Sequence, residues 1–558
     1  MGKIKKFKRV LVANRGEIAI RVFRACSELG IRTVAIYSEE DKNALFRTMA
    51  DEAYQIGKGK APVDAYLSIS EIIKLAKAKG VDAIHPGYGF LAENPVFAQA
   101  CEDEGIEFIG PTAKMMNSLG DKIQSKLVAN SVGVPTVPGK DAAIESEDEA
   151  VEFARAAGYP VMLKAAEGGG GRGMRVVRDE ADIVNEYRNA RSESLKAFGS
   201  DKIFIEKYLE DPKHIEVQIL GDKHGHLVHL YERDCSIQRR HQKVIEFTPS
   251  LCLTEEQRQS ICADALKIAG AVDYRSAGTV EFLLDKNGDH YFIEMNPRIQ
   301  VEHTVSELVT GIDIVQDQIL VAEGYSLDSE EIGIKGQSDI STRGYAIQCR
   351  VTTEDPANGF MPDTGTIDQY SNGSGFGIRL DGGNGYEGAK IQPFYDSLLV
   401  KITAYARSFD DTRRKAIRAL RETHIHGVKT NIPFLLNVLN HPTFIAGECD
   451  TGFIAANPQL VNIDKVDDKE QKVLSYIGNI VVNETQGKKP HFNVPVYPKV
   501  PQEEIDQLRG TKQILDEEGP EAVAKWALEQ QKLLITDTTM RDAQQSLMAT
   551  RMRTDTTE

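Results

Sequence analysis

The chain has 558 residues, with 67 Lys and Arg against 83 Asp and Glu, so its formal net charge is −16. At roughly 150 residues per domain this length accommodates three or four domains with sizeable cores. The acidic balance argues against a nucleic-acid partner, and no apolar run approaches the roughly 18–20 residues of a membrane span, so no membrane partner is expected. Seven cysteines form no CxxC pair, which disfavours a disulfide framework or a cysteine zinc site and fits a reducing cytoplasm.

The basic start is followed by an apolar stretch too short for a signal peptide, and Arg9–Ala13 reads as a first strand. Gly16–Leu29 repeats apolar residues at helical spacing until Gly30 stops it. Thr33–Tyr37 is the next strand, a helix follows around Ser70–Lys79, and Val81–Ile84 is a third strand. This βαβ rhythm predicts a mostly parallel, Rossmann-like sheet whose ligands sit at the carboxyl ends of its strands. Two loops fall there, 14–17 (NRGE) and 85–94 (HPGYGFLAEN).

From about residue 120 the rhythm changes. Tyr159–Ala165 and Lys202–Tyr208 read as strands of a small inserted subdomain around the loop Glu167–Arg175, EGGGGRGMR. Gly168, Gly169, Gly170, Gly171 and Gly173 leave backbone N–H groups unshielded and able to wrap phosphate oxygens. The loop lacks a GK[ST] ending and no helix opens directly after it, so it is neither a Walker A loop nor a dinucleotide-binding turn. Lys164 and Arg172 flank it as possible phosphate partners, and Lys122 in GDK is a third.

Strands follow at Ile215–Leu220, His226–Tyr231, Gly278–Leu284 and His290–Glu294, then one long helix, Thr304–Glu323. Asn287-Gly288 between apolar runs predicts a two-residue hairpin that pairs Lys286 with Asp289, and counting outward sets Glu281 opposite Glu294. Two facing carboxylates repel unless a cation or proton lies between them. With Asn296 two residues on, they form an oxygen set suited to Mg²⁺. The alternative is a solvent-facing pair of surface acids, disfavoured because both strands are otherwise strongly apolar.

The stretch Asn296–His303 combines a guanidinium, an amide and a carboxylate suited to a small oxyanion: Arg298 can hold a planar anion and Glu302 can take its proton. The charge run Glu232–Glu246 (ERDCSIQRRHQKVIE) reads, taken alone, as a solvated face. His241 and His303 lack metal-ligand spacing and suit hydrogen bonding. A β-rich region opens at Gly344–Asp355 and ends in an Arg-rich helix near Asp411–Glu422. Beyond about residue 460 a Lys-, Glu- and Gln-rich stretch suggests a linker or small peripheral domain, and Pro520–Leu534 reads as a helix holding the only tryptophan, Trp526.

Taken together, RVLVANRGEIAIR, HPGYGFLAEN, GDK, EGGGGRGMR, EKYLEDPKHIEVQ, ERDCSIQRRHQKVIE, GTVEF, EMNPRIQVEH and QCRVTTEDP resemble, in order, the biotin carboxylase component of biotin-dependent carboxylases, within the ATP-grasp superfamily. The resemblance implies an α/β fold of an N-terminal domain (1–120), an ATP-grasp domain with a mobile glycine-loop lid (121–335, lid about 135–208) and a β-rich C-terminal domain (336–457). A linker or partial allosteric region (458–532) and the start of a carboxyltransferase domain (533–558) follow. It implies carboxylation of biotin by ATP and bicarbonate through carboxyphosphate. Lys122, Lys164 and the glycine loop would hold phosphates; Glu206, Lys207, Leu209, His214 and Gln238 would complete the ATP site. Glu281, Glu294 and Asn296 would bind Mg²⁺ or Mn²⁺. Lys243, Arg298, Gln300 and Val301 would hold bicarbonate, Glu302 would be its base, Arg350 would stabilise the biotin enolate, and Tyr88 would lie near biotin.

The tail Leu533–Arg553 (LLITDTTMRDAQQSLMATRMR) resembles the opening strand and loop of the carboxyltransferase barrel in pyruvate carboxylase and related oxaloacetate-handling enzymes. Asp542 would there be a metal ligand and Gln545 an active-site residue, while Gln544 replaces the usual His. No Met-Lys-Met biotin-attachment tripeptide occurs. The expected partners are therefore a biotin carrier domain and a carboxyltransferase domain elsewhere, a second copy of the chain in a dimer or tetramer, and acetyl-CoA as an effector. An acyl-CoA carboxylase subunit, another ATP-grasp carboxylate ligase and a non-catalytic ATP-binding module are the competing readings, and the tail disfavours the first.

Overall fold

The computed structural model describes residues 4–120, 122–140, 142–165, 174–198 and 200–462, then 473–474, 476–478, 501–507, 509–536 and 538. The chain divides into two compact units, Met1–Val466 and Asp467–Glu558. Gly168–Gly171, Arg172 and Gly173 lie outside the described residues, as do Asp542, Gln544 and Gln545.

Unit one opens with five parallel strands, β1 (Arg9–Val12), β2 (Arg32–Tyr37), β3 (Glu52–Gln55), β4 (Ala83–His85) and β5 (Glu107–Phe108). Their order is β3-β2-β1-β4-β5. The chain therefore winds outward in one direction from β1 and in the other from β4, and the crevice between them is the switch point where open α/β sheets bind ligands. The loops 14–17 and 85–94 leave these two neighbouring strands. Leu11, Val34 and Ile84 on the inner strands are fully buried, as both faces of a parallel sheet require.

A small three-stranded sheet follows, β7-β6-β8, made of β6 (Val161–Ala165), β7 (Met174–Val177) and β8 (Ile203–Lys207). With the helices Glu147–Ala157 and Ile183–Phe198 it encloses its own apolar cluster, including Val161, Leu163, Tyr187 and Ile205. Most of the remaining strands form one eight-stranded sheet, and three short two-stranded sheets complete the C-terminal block. The large sheet joins β13 (His290–Asn296), β12 (Ser276–Leu284), β9 (Lys213–Gly221), β10 (Leu227–Arg239), β11 (Gln242–Thr248) and β14 (Tyr345–Thr352) to the strands Leu398–Ala406 and Ile378–Gly382, in that order.

Three expectations need correction. The charge run is not a solvated face: β10 extends from Leu227 to Arg239, β11 pairs with it, and Glu232, Arg233 and Glu246 are fully buried. The single helix Thr304–Glu323 is two, His303–Thr310 and Ile314–Glu323, because Gly311 at φ +76° takes the left-handed conformation that ends a helix. The helix containing Trp526 stops at Leu528 rather than Leu534. All seven cysteines are free thiols, and six are buried. No helix among the described residues is long and apolar enough to cross a membrane.

Helix Ile314–Glu323 carries a buried acid, Asp317. Burial, reinforced by Asp313 and Glu307, pushes its carboxyl up to about 8. In the interval between an ordinary carboxylate pKa and 8 only the unfolded chain ionises there, so the native state loses stability as pH rises. Asp317→Asn is therefore expected to stabilise the protein, with a gain that grows by roughly 3–4 kcal/mol from pH 5 to pH 8 in urea unfolding. A gain independent of pH would remove the buried carboxyl as its cause.

Candidate active site

The hairpin count reaches the right pairing by compensation. The turn has three residues, 286–288: the Asp285 N–H donates to Asp289 O at 2.9 Å and the Gly288 N–H to Asp285 O at 3.1 Å. Gly288 sits at φ +88°, as three-residue hairpins require. The Asp285 side chain caps this loop by accepting from the Asn287 and Asp289 N–H groups. Lys286 therefore does not pair with Asp289. One register shift between Glu281 and Phe282, with Ile293 as the extra residue, restores the count, and Glu281 stands opposite Glu294.

The same row continues across the sheet. Glu281 is paired with Glu216 on β9, and Glu216 with Arg233 on β10. Three carboxylates thus lie abreast at strand spacing, about 5 Å apart. Like charges at that distance repel by about 3 kcal/mol at an effective dielectric of 20. Cations answer them. Arg233, with no solvent exposure, donates to Glu216 Oε1 at 2.5 Å, Gln218 at 2.7 Å, Gln300 at 2.8 Å, Ser306 at 3.0 Å and Thr279 at 3.2 Å. Lys243 reaches over from β11 and binds Glu216, Glu281 Oε1 at 3.0 Å and Glu302 Oε1 at 2.7 Å.

Glu302 is 2% exposed and holds Arg350 NH2 on its other oxygen at 3.0 Å. Arg350 also pairs with buried Glu246, whose second oxygen accepts from Gln348 at 2.9 Å. Burial opposes ionisation of Glu302, but Lys243, Arg350 and Arg233 outweigh it and hold the carboxyl well below its usual range. Burial likewise opposes the charge on Lys243, and Glu216, Glu281 and Glu302 overcome it, raising the ammonium well above its ordinary value. At Glu246, by contrast, burial prevails and pushes the carboxyl up.

Glu281 is the best-supplied oxygen centre. Its Oε1 accepts from Lys243, Asn296 at 2.9 Å and Gln300 at 2.7 Å, and its Oε2 faces His214 Nε2 at 2.9 Å. Against the opposing effect of burial, Lys243 and His214 keep it strongly acidic. A buried carboxylate that holds Lys243 and His214, beside a second carboxylate and an amide oxygen facing the same cavity, fits a hard divalent cation. Arg298 lies at the rim, donating to Asn296 Oδ1 at 3.0 Å and pairing with Glu93 of the 85–94 loop at 3.2 Å.

All sixteen candidate side chains that the structure describes line one cavity of about 1060 Å³. Lys164 forms an ion pair with Glu206 there, and Lys207 donates to the carbonyls of Gly158 and Tyr159 at 2.8 and 3.0 Å. Leu209, Gln238 and Val301 contribute to the wall, and Tyr88 donates its hydroxyl to Glu17. Lys122 begins the helix Lys122–Ser131. His241 also lines the cavity, whereas His303 is fully buried, its Nδ1 2.7 Å from Gln300 O, and burial beside Lys401, Arg21 and Arg379 keeps it neutral.

Sequence reasoning did not assign Glu216, Arg233, Glu246, Glu17 or Lys401. One signal was available for Glu216: in β9 the residues His214, Glu216 and Gln218 alternate with Ile215, Val217 and Ile219, so a polar face stands behind an apolar one.

Three family models match the chain: the biotin carboxylase N-terminal domain over residues 6–116, the ATP-binding domain of the carbamoyl-phosphate synthase L chain over 121–330, and the biotin carboxylase C-terminal domain over 348–456. The biotin carboxylase domain of Hydrogenobacter thermophilus 2-oxoglutarate carboxylase, solved as a dimer with MgADP, ADP and bicarbonate, is 49% identical with a TM-score of 0.75, over 83% of this chain and all of that one. The chain belongs to the biotin carboxylase family. Pyruvate carboxylase of Bacillus subtilis (strain 168) is 55% identical over 98% of this chain and 48% of its own length. Rhizobium etli pyruvate carboxylase T882A, solved with the allosteric activator acetyl coenzyme-A, is 51% identical with a TM-score of 0.77, over 99% of this chain and 49% of that one. The chain spans about half the length of the pyruvate carboxylases it matches.

Arg233 is expected to be the main structural member of the cluster. Arg233→Met removes five hydrogen bonds and leaves Glu216 to Lys243 alone, so it should lower stability by about 3 kcal/mol in urea unfolding. A loss below about 1 kcal/mol would show that Lys243 alone neutralises Glu216.

Proposed function

We propose that the chain carboxylates biotin with ATP and bicarbonate, the first half-reaction of pyruvate carboxylase. The observation that carries this reading is Glu302 buried between Lys243 and Arg350, with Arg298 beside it, in the cavity that also holds the Lys164–Glu206 pair and the Glu281–Glu294 row. Lys164, Lys122 and the 168–173 loop bind the ATP phosphates. Glu206, Lys207, Leu209, His214 and Gln238 surround the rest of the nucleotide. Glu281, Glu294 and Asn296 hold Mg²⁺ or Mn²⁺, which when bound offsets phosphate charge.

Lys243, Arg298, Gln300 and Val301 hold bicarbonate, and Glu302 takes its proton. In the resting cluster the cations around Glu302 keep it a weak base. A bicarbonate that engages Lys243 and Arg298 offsets part of that positive field, and the basicity of Glu302 rises when substrate is in place. The bicarbonate oxygen then attacks the γ-phosphorus, ADP leaves, and carboxyphosphate forms. Carboxyphosphate then splits into CO₂ and phosphate, the phosphate takes the ureido N–H proton of biotin, and the resulting enolate, stabilised by Arg350 and lying beside Tyr88, attacks the CO₂ through its nitrogen. Pre-placed cations suit a step in which two anions meet and charge develops between them.

The same reading supplies the partners. Biotin arrives on a carrier domain and leaves for a carboxyltransferase domain, both on other segments or chains. Two chains pair through this region, four in the whole enzyme, with acetyl-CoA as effector. Seven free thiols support a cytoplasmic setting.

Bicarbonate-dependent ADP release, stimulated by free biotin, is the direct test, and folded protein without biotin stimulation overturns the reading. Glu302→Gln is expected to lower turnover by about 100-fold or more, as loss of a general base does, with ATP affinity little changed. Unchanged turnover removes Glu302 as the base. Arg350→Ala should reduce biotin-stimulated ADP release more than the biotin-independent rate, and equal losses would place Arg350 elsewhere in the mechanism.

A further inference from the structure

Behind the cavity wall a single buried ammonium joins the three sequence blocks. Lys401, in the strand Leu398–Ala406, has no solvent exposure. In the sheet it stands between Arg350 on one neighbouring strand and Asp381 on the other. Its Nζ donates to Val301 O at 3.0 Å and lies 3.1 Å from Glu17 Oε1. Glu17 opens the helix after β1 and accepts the Tyr88 hydroxyl on the same oxygen, while its other oxygen is buried without a hydrogen-bond partner among the described residues. Tyr88 and Val301 both line the cavity. The connection therefore runs Tyr88–Glu17–Lys401–Val301, from the N-terminal sheet through the C-terminal strand to the segment that precedes Glu302.

Two further contacts hold Glu17 and Tyr88 to this path. Asn14 Nδ2 donates to Pro86 O and Tyr88 O, both at 2.7 Å, clasping the backbone of the tyrosine loop. Gly383 packs on the Gly16–Glu17 backbone so closely that a Cβ there would lie 2.4 Å from Glu17 N. Glu302, by contrast, is held by Lys243 and Arg350 through its own carboxylate. The base and the Tyr88–Val301 edge are thus supported by different cations.

We propose that Lys401 and Glu17 are positioning residues that hold Tyr88 in place through the Glu17 carboxylate, and so shape the edge of the cavity that receives the biotin ureido ring more than the bicarbonate side, where Val301 is met only at its backbone carbonyl. The proposal rests on the biotin carboxylase reading above. An ammonium is suited to the task because one Nζ can donate to a carbonyl and a carboxylate at once. Burial strengthens both contacts relative to water.

The test uses the full 558-residue chain. Lys401→Met keeps the length of the side chain and removes the charge, but strands a buried Glu17. The double variant Glu17→Gln with Lys401→Met replaces this pair by neutral groups of similar size, the exchange that buried ion pairs tolerate, while Arg379 still holds the neighbouring Asp381 at 2.7 Å. Thermal midpoints are recorded for each. In the double variant the KM for free biotin is expected to rise at least fivefold, with a clearly smaller loss in biotin-independent, bicarbonate-dependent ADP release.

A folded double variant with an unchanged biotin KM overturns the proposal. So does a loss shared equally by the biotin-dependent and biotin-independent rates, which is what a merely structural pair would give. If the unsubstituted chain itself shows no biotin stimulation, the functional reading fails and not the positioning role alone.

Discussion

The organisation of this molecule depends on one ammonium group, Lys243, enclosed by three carboxylates. Glu216, Glu281 and Glu302 are all buried, and together they hold its charge on against the cost of leaving water. Removing any one partner would leave ionic groups in a medium that solvates them poorly, which is why breaking such clusters is costly. The cluster also sets local geometry: β9, β12 and the segment before helix His303–Thr310 can meet in only one register if all three acids are to reach the same nitrogen. Arg233 fixes the floor of the arrangement and Arg350 its far wall.

This arrangement gives chemistry as well as structure. A cluster of alternating charges that nearly balances at rest is sensitive to any further ion. On the proposed function an incoming oxyanion would compete with the glutamates for Lys243 and Arg298, and a divalent cation would compete with Lys243 for Glu281. Each ligand therefore alters the basicity or charge of a neighbouring group without any large movement of the backbone. Two anionic reactants can then be drawn into a chain with a net charge of −16, because the field near the site is set by groups within a few ångströms and not by the total.

The three blocks are joined by this chemistry rather than by apolar packing alone. One eight-stranded sheet crosses from the middle to the C-terminal block through β11 and β14, placing Glu246 beside Gln348. The N-terminal sheet contributes its two switch-point loops, one bringing Glu17 to Lys401 and the other bringing Glu93 to Arg298. The small sheet β7-β6-β8 keeps a separate apolar cluster, so it meets the rest of the site through polar groups such as Glu206 and Lys207.

Much of this was legible in the chain itself, and the reason is periodicity. The βαβ rhythm of the first block, the apolar runs of the later strands and the Asn-Gly turn between two of them are local signals, and they led to the parallel sheet, the hairpin and the facing pair Glu281 and Glu294. Even there the route differed from the outcome, since a three-residue turn and a compensating bulge replaced a two-residue turn. The charge run Glu232–Glu246 read as solvated because a sequence shows charge but not the partners that permit its burial. Glu216, Arg233, Glu17 and Lys401 acquire their roles only when strands far apart in sequence become neighbours. Local order, and which residue types are present, were determined by the sequence. Which charges share a nitrogen was decided by the tertiary structure, because electrostatic pairing depends on distance through space and on exclusion of water, and neither is a property of position along the chain.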